Sequence, residues 1–548
     1  MDRVGGMRAE RAAYWAEALT AIPSVTGTAD EAAFAEAFAA LLRQSPAFAG
    51  RPDDVWTLPV PDGRHPRACV CALVRGRGPR TVVLTGHFDT VTVEDYADLK
   101  PLATQPGPLR DALLARLRRS AVSAAEKRAL ADLEGGDFMP GRGLLDMKGG
   151  LAAGLAVLED FAARPERVGN LLFVGVPDEE VNSAGARAAA RALPALAARL
   201  GLSLEAAINL DAIADDGDGS EGRAVALGTV GKLLPSALVV GRPAHASYTF
   251  RGLGAAALAG AVAAAMEWAP ELTERTDDEV GAGPTLLGMK DGKTAYDVTM
   301  PDRVWMYWNV ALHRNGPAAV LDTATALIRR AVDDLVATLR RRHAQSLGGD
   351  GAAVPDVEVT TFAALRREAE SRDPAAAAAI AAYAREVAER GLDLPEQCRL
   401  VTERVWALSG RTMPAVVLGF ASMPYLPTQL GDDPAAQRLA AATRAAVEAV
   451  AARHGTGIKT IRYFAGISDM SFLGQGDEAA VPVIGTNTPA WGAGLPWPEG
   501  RALGGVPIVN AGPWGRDYHT PLERLHTPYG YTILPDLVAA IADGVLEG

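Results

Sequence analysis

The chain of 548 residues is poor in cysteine, has no surplus of positive charge and has no long apolar run. Its three cysteines are too few for a disulfide framework, and Cys69 and Cys71 are not spaced like zinc ligands. A net charge of −12 argues against a nucleic-acid partner, since phosphate binding needs clustered Lys and Arg. Residues 1–14 lack the apolar core of a signal peptide, and no charge-free run of about 20 apolar residues occurs. A cytoplasmic protein with reduced thiols and no membrane partner is therefore expected.

The chain does contain enough apolar sequence, 49 %, for sizeable cores, and its length predicts two or three domains. Strand and helix patterns alternate along most of it, which is typical of an α/β domain with a mostly parallel sheet and helices on both faces. From about Val230 the pattern changes to strand–helix–strand–helix. Residues 230–345 are predicted to form an inserted α+β lid of the dimerisation type. This lid would divide the catalytic domain into 1–229 and 346–548.

Individual elements follow from apolar patterns and turn residues. Helices are predicted over 317–343 and 434–454, and the short apolar run 481–484 is predicted as a strand. The stretch 96–138 is a long excursion between two motifs, with a charged helical segment around 109–133. Excursions of this length inside a compact domain usually carry function or cover a site.

Four strand-like apolar runs each lead to side chains that can bind a metal ion. The runs and these side chains are 81–85 with His87 and Asp89, 171–176 with Glu179 and Glu180, 206–210 with Asp211, and 506–509 with His519. Asp146 lies between the first two runs, in a segment rich in glycine. In open α/β sheets, ligands bind beyond the carboxyl ends of the strands. Carboxylates and imidazoles gathered at such an edge predict a metal centre.

The donor types fit two metal ions in one site. Zinc takes His nitrogens and carboxylate oxygens, and a carboxylate with two oxygens can bridge two ions. The predicted ligands are His87 and Asp211 for one ion, Glu180 and His519 for the other, and Asp146 for both. Such a site would hold two Zn²⁺, with Co²⁺ or Mn²⁺ as substitutes.

Two further carboxylates have predicted roles beside the metal ions. Asp89 lies two residues from His87, on the same side of an extended segment, where its carboxylate can accept the second imidazole N–H. Glu179 is then left without a metal. An unligated carboxylate beside an activated water is the natural general base.

Simpler roles fit some of these residues. Asp146 also fits a helix N-cap, and Asp211 fits the solvated acidic run 215–218. The adjacent Glu pair would elsewhere be a solvated face, but here it follows an apolar strand and a proline. His526 fits a structural or supporting role.

The motifs together resemble those of the dizinc aminoacylase, carboxypeptidase G and acetylornithine deacetylase family. The matching segments, in order, are 22–27, 86–91, 143–150, 177–180, Asp211 and 512–519. Members of this family hydrolyse amide bonds with a catalytic domain and an inserted lid. In its length and its long first insertion the chain is most similar to the arginine-utilisation (RocB-like) branch.

This resemblance implies the same metal ligands and the same general base, Glu179. The segment 241–247 resembles the lid motif of the family, which implies that His245 stabilises the oxyanion, often from the partner subunit. A homodimer is accordingly an implied assembly. The substrate is not specified by these motifs.

The leading prediction is a zinc-dependent hydrolase of an N-acyl or N-carbamoyl amino acid or a small peptide, with arginine-related substrates included. One alternative is a catalytically silent relative that binds a small molecule, and the presence of Glu179 and every ligand argues against it. The other is a related dizinc aminopeptidase, against which the lid motif at His245 argues.

Overall fold

The computed structural model describes residues 3–61, 65–276, 279–474, 478–495, 497 and 505–548. The chain forms two compact units. Unit 1 comprises 1–229, 428–476 and 500–548, and unit 2 comprises 230–427 and 477–499.

Helices and short strands alternate through the described residues. The strands are β1 (Val55–Val60), β2 (Arg67–Arg75), β3 (Arg77–His87), β4 (Phe138–Pro140), β5 (Val168–Val176), β6 (Ser203–Asn209), β7 (Ile213–Ala214), β8 (Ala224–Ala226), β9 (Gly228–Thr229), β10 (Gly231–Leu233), β11 (Pro235–Val240), β12 (Arg275–Thr276), β13 (Glu279–Val280), β14 (Thr285–Asp291), β15 (Arg303–Leu312), β16 (Glu358–Thr361), β17 (Ala415–Phe420), β18 (Thr428–Gln429), β19 (Lys459–Ile461), β20 (Ile508–Asn510), β21 (Trp514–Arg516) and β22 (Arg524–His526). The α-helices are α1 (Arg3–Thr20), α2 (Ala29–Gln44), α3 (Pro106–Ser120), α4 (Ala124–Gly135), α5 (Gly149–Ala163), α6 (Ala184–Leu200), α7 (Ala255–Met266), α8 (Pro317–Leu347), α9 (Phe362–Arg372), α10 (Ala376–Glu389), α11 (Leu394–Ser409), α12 (Pro434–His454), α13 (Met470–Leu473), α14 (Val481–Asn487) and α15 (Leu534–Glu547).

Unit 1 is built on an eight-stranded sheet in the order β1–β2–β5–β3–β6–β20–β8–β19. The central strands β5, β3, β6 and β20 run parallel, whereas β1 and β2 form an antiparallel edge. The apolar parts of β3 and β5 are buried, as central strands covered by helices should be. Helices α5 and α15 pack on β3 and β5, and α6 and α2 pack on β2. The predicted α/β class with a mostly parallel sheet is confirmed.

The carboxyl ends of the parallel strands meet at one edge of this sheet. β3 pairs with β5, His87 opposite Val176, and with β6, Thr85 opposite Asn209. β6 pairs with β20, Asn209 opposite Asn510. The segments that follow these strands therefore start side by side.

A second, four-stranded sheet in unit 1 has the order β4–β22–β21–β7. Strands β21 and β22 form an antiparallel hairpin, and β7 follows β6 closely in the chain. We refer to the connection 517–523 within this hairpin as the His519 loop. The small sheet thus brings the end of the chain to the edge where β6 ends.

The predicted excursion between β3 and β4 is helical. It contains a 3₁₀ segment, Glu94–Leu102, followed by α3 and α4. Two helices replace the single predicted segment because Ser123 caps α4, accepting the N–H of Glu126 at 3.1 Å. The excursion has an apolar cluster of its own, whose buried members are Tyr96, Ala103, Leu109, Leu113, Leu114, Leu117, Ala129 and Leu133. We refer to residues 94–137, which precede β4, as the excursion.

Unit 2 contains a six-stranded sheet in the order β10–β15–β11–β17–β16, with β14 pairing on β15. It begins at Val230, as the predicted lid does, but it extends beyond 345 to 427 and includes 477–499. The reason is strand pairing, because β17 pairs along its length with β11 and β16 pairs with β17. The predicted boundary at 345 separates strands that belong to one sheet.

The predicted strand at 481–484 is wrong, since these residues begin α14. A short apolar run without alternation does not distinguish a strand from a buried helix. Pro482 lies in the first turn of α14, where a proline fits a helix well.

The structure shows the state of the cysteines and the length of the apolar helices. Cys69, Cys71 and Cys398 are free and buried. Within the ranges that the structure describes, no helix is long and apolar enough to cross a membrane. The cytoplasmic location stays a prediction.

Candidate metal centre

Five candidate ligands lie at or beyond the carboxyl edge of the parallel strands. His87 is the last residue of β3, Glu180 follows β5, and Asp211 follows β6. Asp146 lies in the turn before α5, and His519 lies in the His519 loop. Parallel pairing brings the first three to one edge, and the small sheet brings His519 there.

One group of donor atoms consists of His87, Asp146 and Asp211. Nε2 of His87 lies 3.2 Å from Oδ1 of Asp146 and 3.9 Å from Oδ1 of Asp211. Two donors bound tetrahedrally to one zinc are about 3.4 Å apart, given bond lengths of about 2.0–2.2 Å. All three residues are buried. This group therefore has the spacing and the donor types that one divalent metal ion requires.

The second group consists of Asp146, Glu180 and His519. Nε2 of His519 lies 3.0 Å from Oδ2 of Asp146 and 3.2 Å from Oε1 of Glu180. The side chain of His519 is 42 % exposed, so this group opens toward solvent. Asp146 belongs to both groups and does not cap α5, whose N-cap is Lys148 without a side-chain hydrogen bond.

The carboxylate of Asp89 organises the loop after β5. Its Oδ1 accepts the N–H of Glu179 at 3.1 Å, and its Oδ2 accepts the N–H of Glu180 at 3.3 Å and the hydroxyl of Thr26 at 2.8 Å. Nδ1 of His87 lies 3.0 Å from the backbone oxygen of Asp89 but 3.7 Å from the carboxylate. The nearer acceptor for the second imidazole N–H is thus the carbonyl, which differs from the prediction. A proton on Nδ1 leaves Nε2 of His87 to bind a metal ion.

Glu179 belongs to neither group of donor atoms found among the described residues. Burial raises its pKa well above the usual range, and the charge of His87 opposes that rise. Its backbone is fixed by Asp89. Glu179 is therefore a carboxylate outside both donor groups, and its role as general base stays a prediction.

Burial and hydrogen bonds shift the pKa values of the candidate ligands. Hydrogen bonds to Asp146 and Glu180 raise the pKa of His519 to about 10. Burial, together with the charge of Asp146, raises the pKa of Asp211 to about 8. Burial alone would raise the pKa of Asp146, but hydrogen bonds from His519 and His87 hold it well below its usual range. Metal binding releases protons from such ligands, and a bound cation keeps the carboxylates ionised.

Several supporting residues are not among those predicted from the sequence. Glu523, fully buried, accepts the N–H of Asp146 at 3.4 Å and a guanidinium N–H of Arg142 at 2.7 Å. Asn510 accepts the N–H of Asp211 at 3.1 Å and donates to its carbonyl at 2.9 Å. These contacts hold the backbone of two candidate ligands, and the local sequence gives no signal for them.

Asp469 is a further buried carboxylate near the centre. Only 1 % of it is exposed, and burial raises its pKa to about 7, an effect that the charge of His87 opposes. Its charge in turn contributes to the raised pKa of Glu179. Asp469 lies eight residues beyond the end of β19 and directly before α13, so the strand-end pattern that identified Asp211 did not single it out.

The remaining predicted residues lie outside these groups. His245 lies in unit 2, is exposed and accepts the N–H of Ser247 on Nδ1 at 3.1 Å. With Nδ1 accepting, the neutral imidazole carries its proton on Nε2. His526 stacks on Trp514 with ring centroids 4.6 Å apart, which is a structural role.

The two donor groups agree with the family that the sequence motifs resemble. A family model described as Peptidase family M20/M25/M40 matches residues 83–485. The uncharacterized protein YqjN of Bacillus subtilis (strain 168) is 31 % identical over 536 residues, covering 96 % of this chain and 94 % of YqjN. Protein RocB of the same organism is 27 % identical over 554 residues, covering 97 % of this chain and 94 % of RocB.

The fold is shared with solved structures. An M20 family metallo-carboxypeptidase, Sso-CP2 from Sulfolobus solfataricus, has a TM-score of 0.52 and 13 % identity, with both chains covered in full, 100 % each. At this identity the likeness concerns the fold alone. The family model, which spans most of the chain, carries the assignment: this protein belongs to peptidase family M20/M25/M40 and is a hydrolase that acts on amide bonds.

Proposed function

We propose that this chain is a two-metal hydrolase that cleaves the amide bond of an N-acyl or N-carbamoyl amino acid or a small peptide. The observation that carries this proposal is the position of Asp146. One of its oxygens faces Nε2 of His87 at 3.2 Å, and the other faces Nε2 of His519 at 3.0 Å. A carboxylate with one oxygen toward each of two donor groups is arranged as a bridging ligand is. Imidazole and carboxylate donors suit zinc, with Co²⁺ or Mn²⁺ as substitutes.

The proposed reaction divides the work among few residues. Two divalent ions, when bound, supply positive charge that polarises the scissile carbonyl and lowers the pKa of the attacking water. Glu179 takes the proton of that water and delivers it to the leaving amine. Asp89 keeps Glu179 in place by accepting its backbone N–H. His245 donates Nε2–H to the oxyanion that develops on the carbonyl oxygen.

The proposed substrate class includes arginine derivatives, because the chain is similar to the RocB-like branch. RocB itself is 27 % identical over almost the whole chain. A screen of N-acyl and N-carbamoyl amino acids and dipeptides would identify the scissile group. Comparing an N-acyl arginine with the matching N-acyl citrulline isolates the guanidinium charge, since the two side chains have nearly the same shape.

The purified chain, reconstituted with zinc, is expected to hold two metal ions. The physical reason is the pair of donor groups that share Asp146. Elemental analysis after removal of free metal measures the stoichiometry. One ion or fewer per chain would contradict the two-metal proposal, and two ions without turnover in the screen would favour a silent binding relative.

His245→Ala is expected to lower kcat by about 10²–10³ while metal content stays the same. An N–H aimed at the oxyanion stabilises the transition state more than the bound substrate, so KM should change less than kcat. Steady-state kinetics and elemental analysis on one preparation measure both quantities. A kcat near that of the wild type would remove His245 from the mechanism.

Mixing variants tests whether a partner subunit supplies His245. If it acts in trans within a homodimer, mixing His245→Ala with Glu179→Gln should restore part of the activity, because one intact site forms in each mixed dimer. If each chain completes its own site, the mixture should remain as inactive as its components.

A further inference from the structure

The excursion contacts the His519 loop through a buried charged cluster. Asp132 of α4 accepts Nη1 of Arg516 at 2.6 Å with each of its carboxylate oxygens. Its Oδ2 also accepts Nε and Nη2 of Arg524, at 2.8 and 2.6 Å. Arg516 ends β21 and Arg524 begins β22, so one carboxylate joins the two strands that flank the loop. Charge-assisted hydrogen bonds of this kind are short and strong, and they fix geometry.

Arg524 extends this connection across the loop. Its Nη1 donates to the carboxylate of Asp517 at 2.6 Å and to the carbonyl of Leu522 at 2.9 Å. The side chain of Arg524 is only 1 % exposed, so water does not compete for these bonds. Both ends of the His519 loop are therefore held by a guanidinium that Asp132 orients.

Two further contacts link the excursion to the same loop. Leu522 packs against the apolar cluster of the excursion. Arg128 of α4 lies 3.5 Å from the carboxylate of Asp517. Four residues of the loop or its flanks thus contact the excursion, namely Arg516, Asp517, Leu522 and Arg524.

The backbone of the His519 loop needs such support. Asp517 and His519 have φ values of 54° and 61°, in the left-handed region that residues other than glycine seldom adopt. Strained backbone of this kind persists only where the surrounding structure holds it. His519 directs Nε2 toward Asp146 and Glu180 from this conformation.

We propose that the excursion is a positioning element for the metal centre, in which Asp132 orients Arg516 and Arg524 and so holds His519 toward Asp146 and Glu180. Without the Asp132 carboxylate, the guanidinium groups of Arg516 and Arg524 would still lie over the ring of Phe138, at 5.0 and 5.7 Å from its centroid. Their two positive charges would then repel each other. The loop would then relax and move Nε2 of His519 away from its metal position. This inference rests on the proposed two-metal function.

The test compares Asp132→Asn with Glu134→Gln. Asn keeps the shape of Asp132 and removes its charge, whereas Glu134 pairs with Arg118 on the exposed surface of the same excursion. Stepwise zinc affinities are measured by competition with a chromophoric chelator. Asp132→Asn should weaken one of the two binding steps by about 10–100-fold, the usual cost of losing an outer partner of a ligand, and leave the other step unchanged. Glu134→Gln should bind like the wild type.

A double-mutant cycle distinguishes positioning from a general structural role. In a His519→Ala background, adding Asp132→Asn should not change the affinity of the remaining metal position, because Asp132 acts through His519. Equal weakening of both steps in Asp132→Asn, or a further loss in the double variant, would overturn the inference.

Two safeguards keep the outcome decisive. If Asp132→Asn does not fold, Arg128→Gln replaces it. This variant is expected to weaken one binding step by a few-fold and to leave the other unchanged. Two unchanged binding steps would count against the inference. If the wild type binds two ions and neither binding step is altered in the Asp132 variant, only this inference fails. A wild type that binds fewer than two ions contradicts the proposed function and removes this inference with it.

Discussion

Glu179→Gln is expected to lower kcat by about 10²–10⁴ while both metal ions remain bound. Glutamine has the shape of glutamate but cannot take a proton from water at neutral pH. Glu179 belongs to neither donor group, and its backbone N–H bonds to Asp89 whichever side chain is present. Binding of metal and substrate should therefore survive, and the loss should appear in kcat.

Glu180→Gln is the matched control, because it makes the same chemical change one residue later. Glu180 faces His519 at 3.2 Å within the second donor group, so its amide variant should lose metal as well as activity. Elemental analysis and kinetics on both variants separate the two roles. If Glu179→Gln loses metal and Glu180→Gln keeps it, the two assignments have been exchanged.

Asp146→Ala is expected to weaken both metal-binding steps. Each step should weaken by more than about 10–100-fold, which is the usual cost of removing a residue that only supports a ligand. Asp146 is the residue that both donor groups share, so its removal leaves each group with two donors. Activity should fall to the level of the metal-free protein. Competition with a chelator measures both affinities.

The control for this experiment is Asp111→Asn, which changes an exposed carboxylate on α3. It should bind two ions with the affinities of the wild type. An Asp146→Ala variant that keeps one ion at wild-type affinity would mean that Asp146 serves a single metal and does not bridge.

The strand ends could be predicted from the sequence because they depend on local signals. An apolar run that stops at His87 or Asp211 predicts both a strand and a side chain at its carboxyl end. Parallel pairing then brings those ends together without any further information. The sequence linked His519 to the apolar run 506–509 and to the motif 512–519, but its position depends on a small sheet formed by distant segments.

Long-range pairing explains what could not be predicted. Nothing near Asp132 or Arg524 in the sequence indicates that they meet, since they lie 392 residues apart, on α4 and β22. Whether the Asp89 carboxylate accepts an imidazole N–H or two peptide N–H groups likewise depends on the position of the loop after β5. The end of unit 2 could not be predicted for the same reason, because the sequence of β17 does not indicate that it pairs with β11.

The pairing of β11 with β17 also sets a delay during synthesis. The two strands lie about 180 residues apart, and a ribosome adds about 5–20 residues per second. Roughly 10–40 s therefore pass between the synthesis of β11 and that of β17. During that interval its backbone groups on one side have no strand to bond. An unpaired edge of this kind is a template for aggregation. A nascent chain that stops shortly after residue 345 would therefore be more dependent on chaperones than one that has passed Phe420.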